Sequence, residues 1–291
     1  MQLIFHTGAH YTDEERLLKC LLQNKEQFAK RGISIPGPGR YRYLLKDAFK
    51  AMQTAAPSPE ARDVLIDAIL DEEVCERLIL SNSHFFGSQR FAVGEETLYP
   101  EAAERMTLLQ QLFQFEQIEM FMAIRNPATF LPAIQENVSS RRFRQMMGDA
   151  DPRELRWSDM VLSIREAVPN ISLTIWCNED TPLIWAQIIR EMAGLEPEDP
   201  INGEFDLLNS IMSKEGMSRF QTYQKTHPDM SEVQQRRVIA AFMDKFALED
   251  EVEEELDLPG WTDALVDELT ELYDQDVFRI QCIPGVQLIA P

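Results

Sequence analysis

Two histidines, His6 and His10, stand four residues apart around Gly8, and Thr12, Asp13, Glu14 and Glu15 follow closely. Imidazole titrates near neutral pH, so a loop histidine is a candidate general acid or base. Imidazole together with carboxylate is also a plausible ligand set for a divalent cation. A third histidine, His84, lies in Ser81-Asn-Ser-His-Phe-Phe-Gly87, and a lone arginine, Arg125, stands in Ala123-Ile-Arg-Asn-Pro127. His6, His10, His84, Asp13 and Glu14 are a candidate cluster for proton transfer or metal binding, and Arg125 is a candidate anion ligand. Each has a plainer role beside it. His6 can pack at a strand end, the acids can cap a helix, His84 can be exposed, and no metal is assigned.

The elements that must position these residues follow from hydrophobic spacing. The apolar run Leu3–Phe5 passes through a turn at Gly8 into apolar residues at 17, 18, 21, 22 and 28, which is strand, loop and then a helix expected to run to Gly32. In an open parallel sheet a ligand binds at such a loop, beside the unpaired N–H groups of the helix start. Thr12-Asp-Glu-Glu15 has the form of a capping box, with the Thr12 hydroxyl accepting from the amide of Glu15. Those acids also fill the place an anionic ligand would take.

Short apolar runs at 77–81, 118–124 and 171–176 read as further buried strands. Helical segments are expected at about 42–52, 60–72, 100–113, 128–147, 152–166 and 181–193, the last ended by Gly194 with Asn178-Glu-Asp180 as its cap. Ile33–Gly39 is a short extended piece leading into a turn-rich loop. This alternation predicts an α/β fold, three-layered with a mainly parallel sheet, over residues 1–194. Loops 7–12, 82–87 and 125–128 should then share one sheet edge. From 195 to 291 the pattern is helical over 203–247 and 261–274, broken by the acidic run Glu249–Asp257, so a helical extension packed on the core is expected. The apolar last residues should dock.

The net charge of −21 argues against a nucleic-acid backbone or an anionic membrane as partner. No apolar run approaches the roughly 18 residues of a membrane span, and no signal-peptide layout opens the chain, so a cytoplasmic location is expected. The cysteines are far apart and outside any Cys-x-x-Cys pair, which suits small buried hydrophobes. Arg141, Arg142 and Arg144 form a basic cluster in this acidic chain, either solvated or facing Arg125.

His6-Thr-Gly-Ala-His10 with Thr12 resembles the opening of bacterial P-loop sulfotransferase-like proteins, whose first strand enters a His-x-Gly-x-His-Lys-Thr-Gly-Thr-Thr loop. In that family the loop holds the 5'-phosphosulfate end of the donor PAPS. Glu119–Leu131, with Arg125-Asn-Pro127, resembles the family's turn for the donor's 3'-phosphate. The resemblance implies a P-loop-type fold with Gly8, Ala9, His10, Thr12 and Arg125 as donor-binding positions. It also places His84 where the family often carries a catalytic Glu, making His84 and His10 the candidate catalytic groups. The departures are specific. Tyr11 replaces the donor-binding Lys, Asp13-Glu-Glu15 replaces Gly-Thr-Thr, and Ala133 stands at the position of the phosphate-holding Ser. A carboxylate about 6 Å from an anionic donor would cost about 3 kcal/mol at an effective dielectric of 20. The expectation is a sulfotransferase-like protein with a degraded PAPS loop, weak at most for PAPS or adenosine 3',5'-bisphosphate, acting as a binding relative on a small molecule or protein partner. The alternatives are an atypical but active sulfuryl or related group transferase and a metal-dependent ligand-binding protein.

Overall fold

A computed structural model describes residues 1–12, 15–71, 74–94, 97–252 and 260–291. In chain order the elements begin with β1 (Gln2–His6), α1 (Arg16–Gln23), α2 (Lys25–Ala29), β2 (Ile33–Ser34), α3 (Arg42–Met52), α4 (Ala61–Leu70) and β3 (Arg77–Ser81). A short ribbon of β4 (Val93–Gly94) and β5 (Thr97–Leu98) precedes α5 (Ala102–Leu112), β6 (Gln117–Ile124), α6 (Pro127–Asn137), α7 (Ser140–Met147), α8 (Trp157–Ala167), β7 (Ser172–Cys177) and α9 (Thr181–Ala193). There follow α10 (Asp206–Ile211), α11 (Lys214–Thr226), α12 (Glu232–Phe246), α13 (Glu249–Val252), α14 (Asp263–Gln281) and β8 (Val286–Ile289).

The main sheet runs β2-β3-β1-β6-β7-β8 with every pairing parallel. The runs at 2–6, 77–81, 118–124 and 171–176 are therefore neighbours, as expected, and their following loops share one edge. Their sequences lack polar alternation because helices cover both faces. Leu3, Phe5, Leu78, Leu80, Met120 and Ile175 face one core, and Ile4, Ile79, Phe121, Ala123 and Trp176 face the other. The fold is α/β with a mainly parallel sheet, and no helix among the described residues is long and apolar enough to cross a membrane.

Several expected boundaries move, two of them because of a distant partner. The first helix does not run to Gly32 but breaks at Asn24, whose amide donates to Cys20 O (2.8 Å) and Asn202 O (2.9 Å) while its oxygen accepts the Asn202 amide (2.7 Å). Beside this clasp the Cys20 thiol donates to Asn202 O at 3.4 Å. The helical stretch expected at 128–147 divides at Ser139, whose hydroxyl accepts from Arg142 N and starts α7. The helix expected from 152 begins at Trp157, where Asp276 of α14 accepts the Trp157 amide (2.7 Å), the Ser158 amide (3.1 Å) and the Ser158 hydroxyl (2.5 Å). Ile33–Ser34 is an edge strand. Beyond 194 the chain supplies, besides helices, the opposite edge strand β8, with Val286 paired to Leu173 and Ile289 to Trp176. The Asp180 side chain makes no cap bond to α9, and Asn178–Asp180 is a single 3-10 turn.

Candidate functional site

The loop after β1 begins by prolonging the sheet, since Thr7 N donates to Phe121 O (3.0 Å) and Ala9 N to Ala123 O (3.3 Å). Gly8 turns the chain with φ of 55°, a conformation that suits a residue without Cβ. His10 meets Tyr99, wholly buried behind the loop. Its hydroxyl accepts the His10 amide at 2.8 Å and lies 2.7 Å from His10 Nδ1. A hydroxyl that accepts the amide has its own proton left to give, and Nδ1 is within reach, so the imidazole proton sits on Nε2. Burial, with His84 nearby, lowers the His10 pKa to about 4, which makes the ring neutral at pH 7.

The capping box does not form. The Thr12 hydroxyl donates back to Ala9 O (2.8 Å), and helix α1 is entered through Glu15 at φ of 63° with no side-chain cap. Asp13 and Glu14 lie outside the described residues.

The loop after β3 is fixed by Tyr41, whose hydroxyl donates to Ser81 O (2.6 Å) and accepts Ser81 N (2.9 Å). His6 Nδ1 lies 2.8 Å from the Ser81 hydroxyl, and its ring stacks on Trp176. Asn82 Oδ1 accepts the His84 amide (3.1 Å), which turns the exposed His84 ring edge-on to His10 with centroids 5.1 Å apart. Partial desolvation and Arg42 lower the His84 pKa, while Glu15 opposes them. His6, His10 and His84 thus meet at one cavity of about 210 Å³ that Arg42 and Asn82 also line.

The loop after β6 carries Arg125, only 6% exposed. Its guanidinium donates through Nη1 to Tyr11 O (2.5 Å) and through Nε to Thr129 Oγ1 (3.0 Å). Asn126 caps α6 through Oδ1 to Ala128 N (2.9 Å), while its own amide donates to Glu179 Oε1 (2.8 Å). Glu179 also accepts from Tyr273 (3.1 Å), and burial pushes its carboxyl up against the pull of these donors and of Arg125. Arg125, Thr12 and Glu179 line a second cavity of about 370 Å³. It lies where the chain leaves β1 toward α1 on one face and β6 toward α6 on the other, the crevice in which open α/β sheets hold ligands. Arg142 lines a separate cavity with Arg90 and Gly148.

Gly8, Ala9, His10, Thr12 and Arg125 are thus drawn to one sheet edge, but Ala9 and His10 line one cavity and Thr12 and Arg125 another, rather than all forming one cradle. The residues that organise them, Tyr99, Tyr41, Arg42 and Glu179, carry no signal in the local sequence. A phosphosulfate cradle needs loop amides aimed at the ligand. Here the amides of Thr7, Ala9 and His10 donate to protein oxygens, Arg125 holds the Tyr11 carbonyl, and a carboxylate lines the Arg125 cavity. The residues present do not fit PAPS. Among the described residues no group of three or more His, Cys, Asp or Glu could hold a metal ion. No protein-family model matches the chain, and no curated protein matches it.

Proposed function

We propose that this chain is a sulfotransferase-like α/β protein in which the donor site has become internal structure and the remaining cavities serve binding. The P-loop-type reading draws on the central place of β1, with the loops after β1 and β6 facing each other across the sheet edge. The observation that carries the change of role is the Tyr99 hydroxyl, which occupies both the amide and the Nδ1 of His10. A loop held this way has lost the donors that neutralise a leaving phosphate, and that neutralisation is most of what transfer from such a donor requires.

The test is turnover of sulfur-labelled PAPS with phenol, alcohol and amine acceptors, beside calorimetric titration with adenosine 3',5'-bisphosphate. No turnover is expected, and at most weak nucleotide binding that Arg125→Ala abolishes. Changing Tyr11→Lys, Asp13→Gly, Glu14→Thr and Glu15→Thr together should raise nucleotide affinity. Turnover by the unmodified protein, or a folded quadruple variant with no gain, would return the chain to the active transferases.

A further inference from the structure

The cavity between the loops that follow the first and third strands has two buried polar atoms for which the protein supplies no partner, His10 Nε2 and Arg42 Nε. His10 is 5% exposed, and with its proton on Nε2 it presents a donor; the Arg42 guanidinium presents another. An unpartnered buried donor is costly, so two from residues that line one cavity call for an acceptor. The cavity meets a larger one, of about 390 Å³, along Arg42, Asn82 and His84. Leu45, Phe49, Phe85 and Phe91 form the apolar side of this second space.

Charge narrows the choice of acceptor. Together the two cavities are lined by the cations Arg42, Lys46 and Arg105 and by the carboxylates Glu15 and Glu101, a formal excess of one positive charge before any histidine is counted. Arg105 is already paired with Glu101 at 2.8 Å, and Arg42 only loosely with Glu15 at 4.0 Å. A single negative charge is matched here and a double one is not. We infer that this pair of cavities binds a monocarboxylic acid with an apolar, ring-sized body, its carboxylate accepting from His10 Nε2 and Arg42 Nε and its body lying against Phe49 and Phe85. This inference shares the Tyr99–His10 contact with the donor reading, and the ligand it names is a different one.

The experiment is calorimetric titration of the full chain with arylalkanoic acids of increasing length, each matched to its primary amide and its phosphonic acid. At least one acid is expected to bind ten times more tightly than its amide and its phosphonate. Arg42→Gln should abolish that preference. In the unmodified protein the His10 Nε2 proton resonance should move downfield with the acid and not with the amide, a readout that does not depend on the variant folding. A panel in which no acid gains tenfold, a preference that survives Arg42→Gln, or an unmoved His10 resonance would each overturn the assignment. PAPS turnover would overturn the donor reading and leave this one standing.

Discussion

At the scale of single residues, His10 and Tyr99 decide what the first loop can do. Tyr99→Phe removes the oxygen that holds both the amide and Nδ1 of His10, leaving two buried groups without partners. The expected loss is about 2–4 kcal/mol in unfolding free energy, measured by urea titration. A loss below about 1 kcal/mol would show that the loop is held by other means. The pKa of His10 gives a second outcome with a definite sign. Its folded value of about 4 lies below the ordinary histidine value of 6.5, so well above pH 6.5 the ring is neutral in both states. Between pH 6.5 and 4 the unfolded chain binds a proton that the folded chain refuses, and stability falls as pH falls. The full difference corresponds to about 3 kcal/mol, of which about 2 kcal/mol should be lost by pH 5. Comparing urea unfolding at pH 7 and pH 5 for the native chain and His10→Gln isolates this contribution, and equal pH losses in both would refute it.

At the scale of elements, the sequence was informative wherever a segment's own pattern decides its state. The buried strands at 2–6, 77–81, 118–124 and 171–176 stand out because parallel strands covered on both faces are short apolar runs between polar loops. What could not be read is what a partner far along the chain decides. Asn24 is an ordinary helix residue until Asn202 reaches it. Val286–Ile289 is too short for period-2 alternation to mark as a strand, and its place is set by pairing with β7. The local sequence marks Arg125 as a candidate anion ligand but not as the donor to Thr129 and to the Tyr11 carbonyl. The start of α8 is the sharpest case, since its cap, Asp276, comes from α14. Asp276→Ala should therefore cost about 3 kcal/mol, because it strands the two amides of a helix start in the core. Asp276→Asn should cost less, since its remaining oxygen can still accept one of them. Equal losses, or none, in thermal and urea unfolding would show that the clip does not hold the helices together.

At the scale of the whole molecule, the charge of −21 is the dominant long-range quantity. Like charges on a compact body repel, and the folded state is more compact than the unfolded one. Added sodium chloride should therefore raise the unfolding midpoint, most steeply up to about 0.15 M, where the Debye length has fallen to about 8 Å. A midpoint that stays flat or falls over this range would mean that the paired charges of the surface outweigh the net repulsion.

The clasp between Asn24 and Asn202 gives the molecule a chemical clock. The thiol of Cys20 beside it, like that of Cys177, is pushed up to about 12, chiefly by burial, whereas Cys282 is exposed. At pH 8 a thiol with that pKa is ionised to only about 1 part in 10,000, so a disulfide reagent should consume Cys282 at once and Cys20 only during excursions that lift residues 202 and 203 off α1. In a Cys75→Ser, Cys177→Ser chain, where Cys20 is the one slow thiol left, the slow phase of labelling, unchanged when reagent concentration is raised, would then time the opening of that clasp.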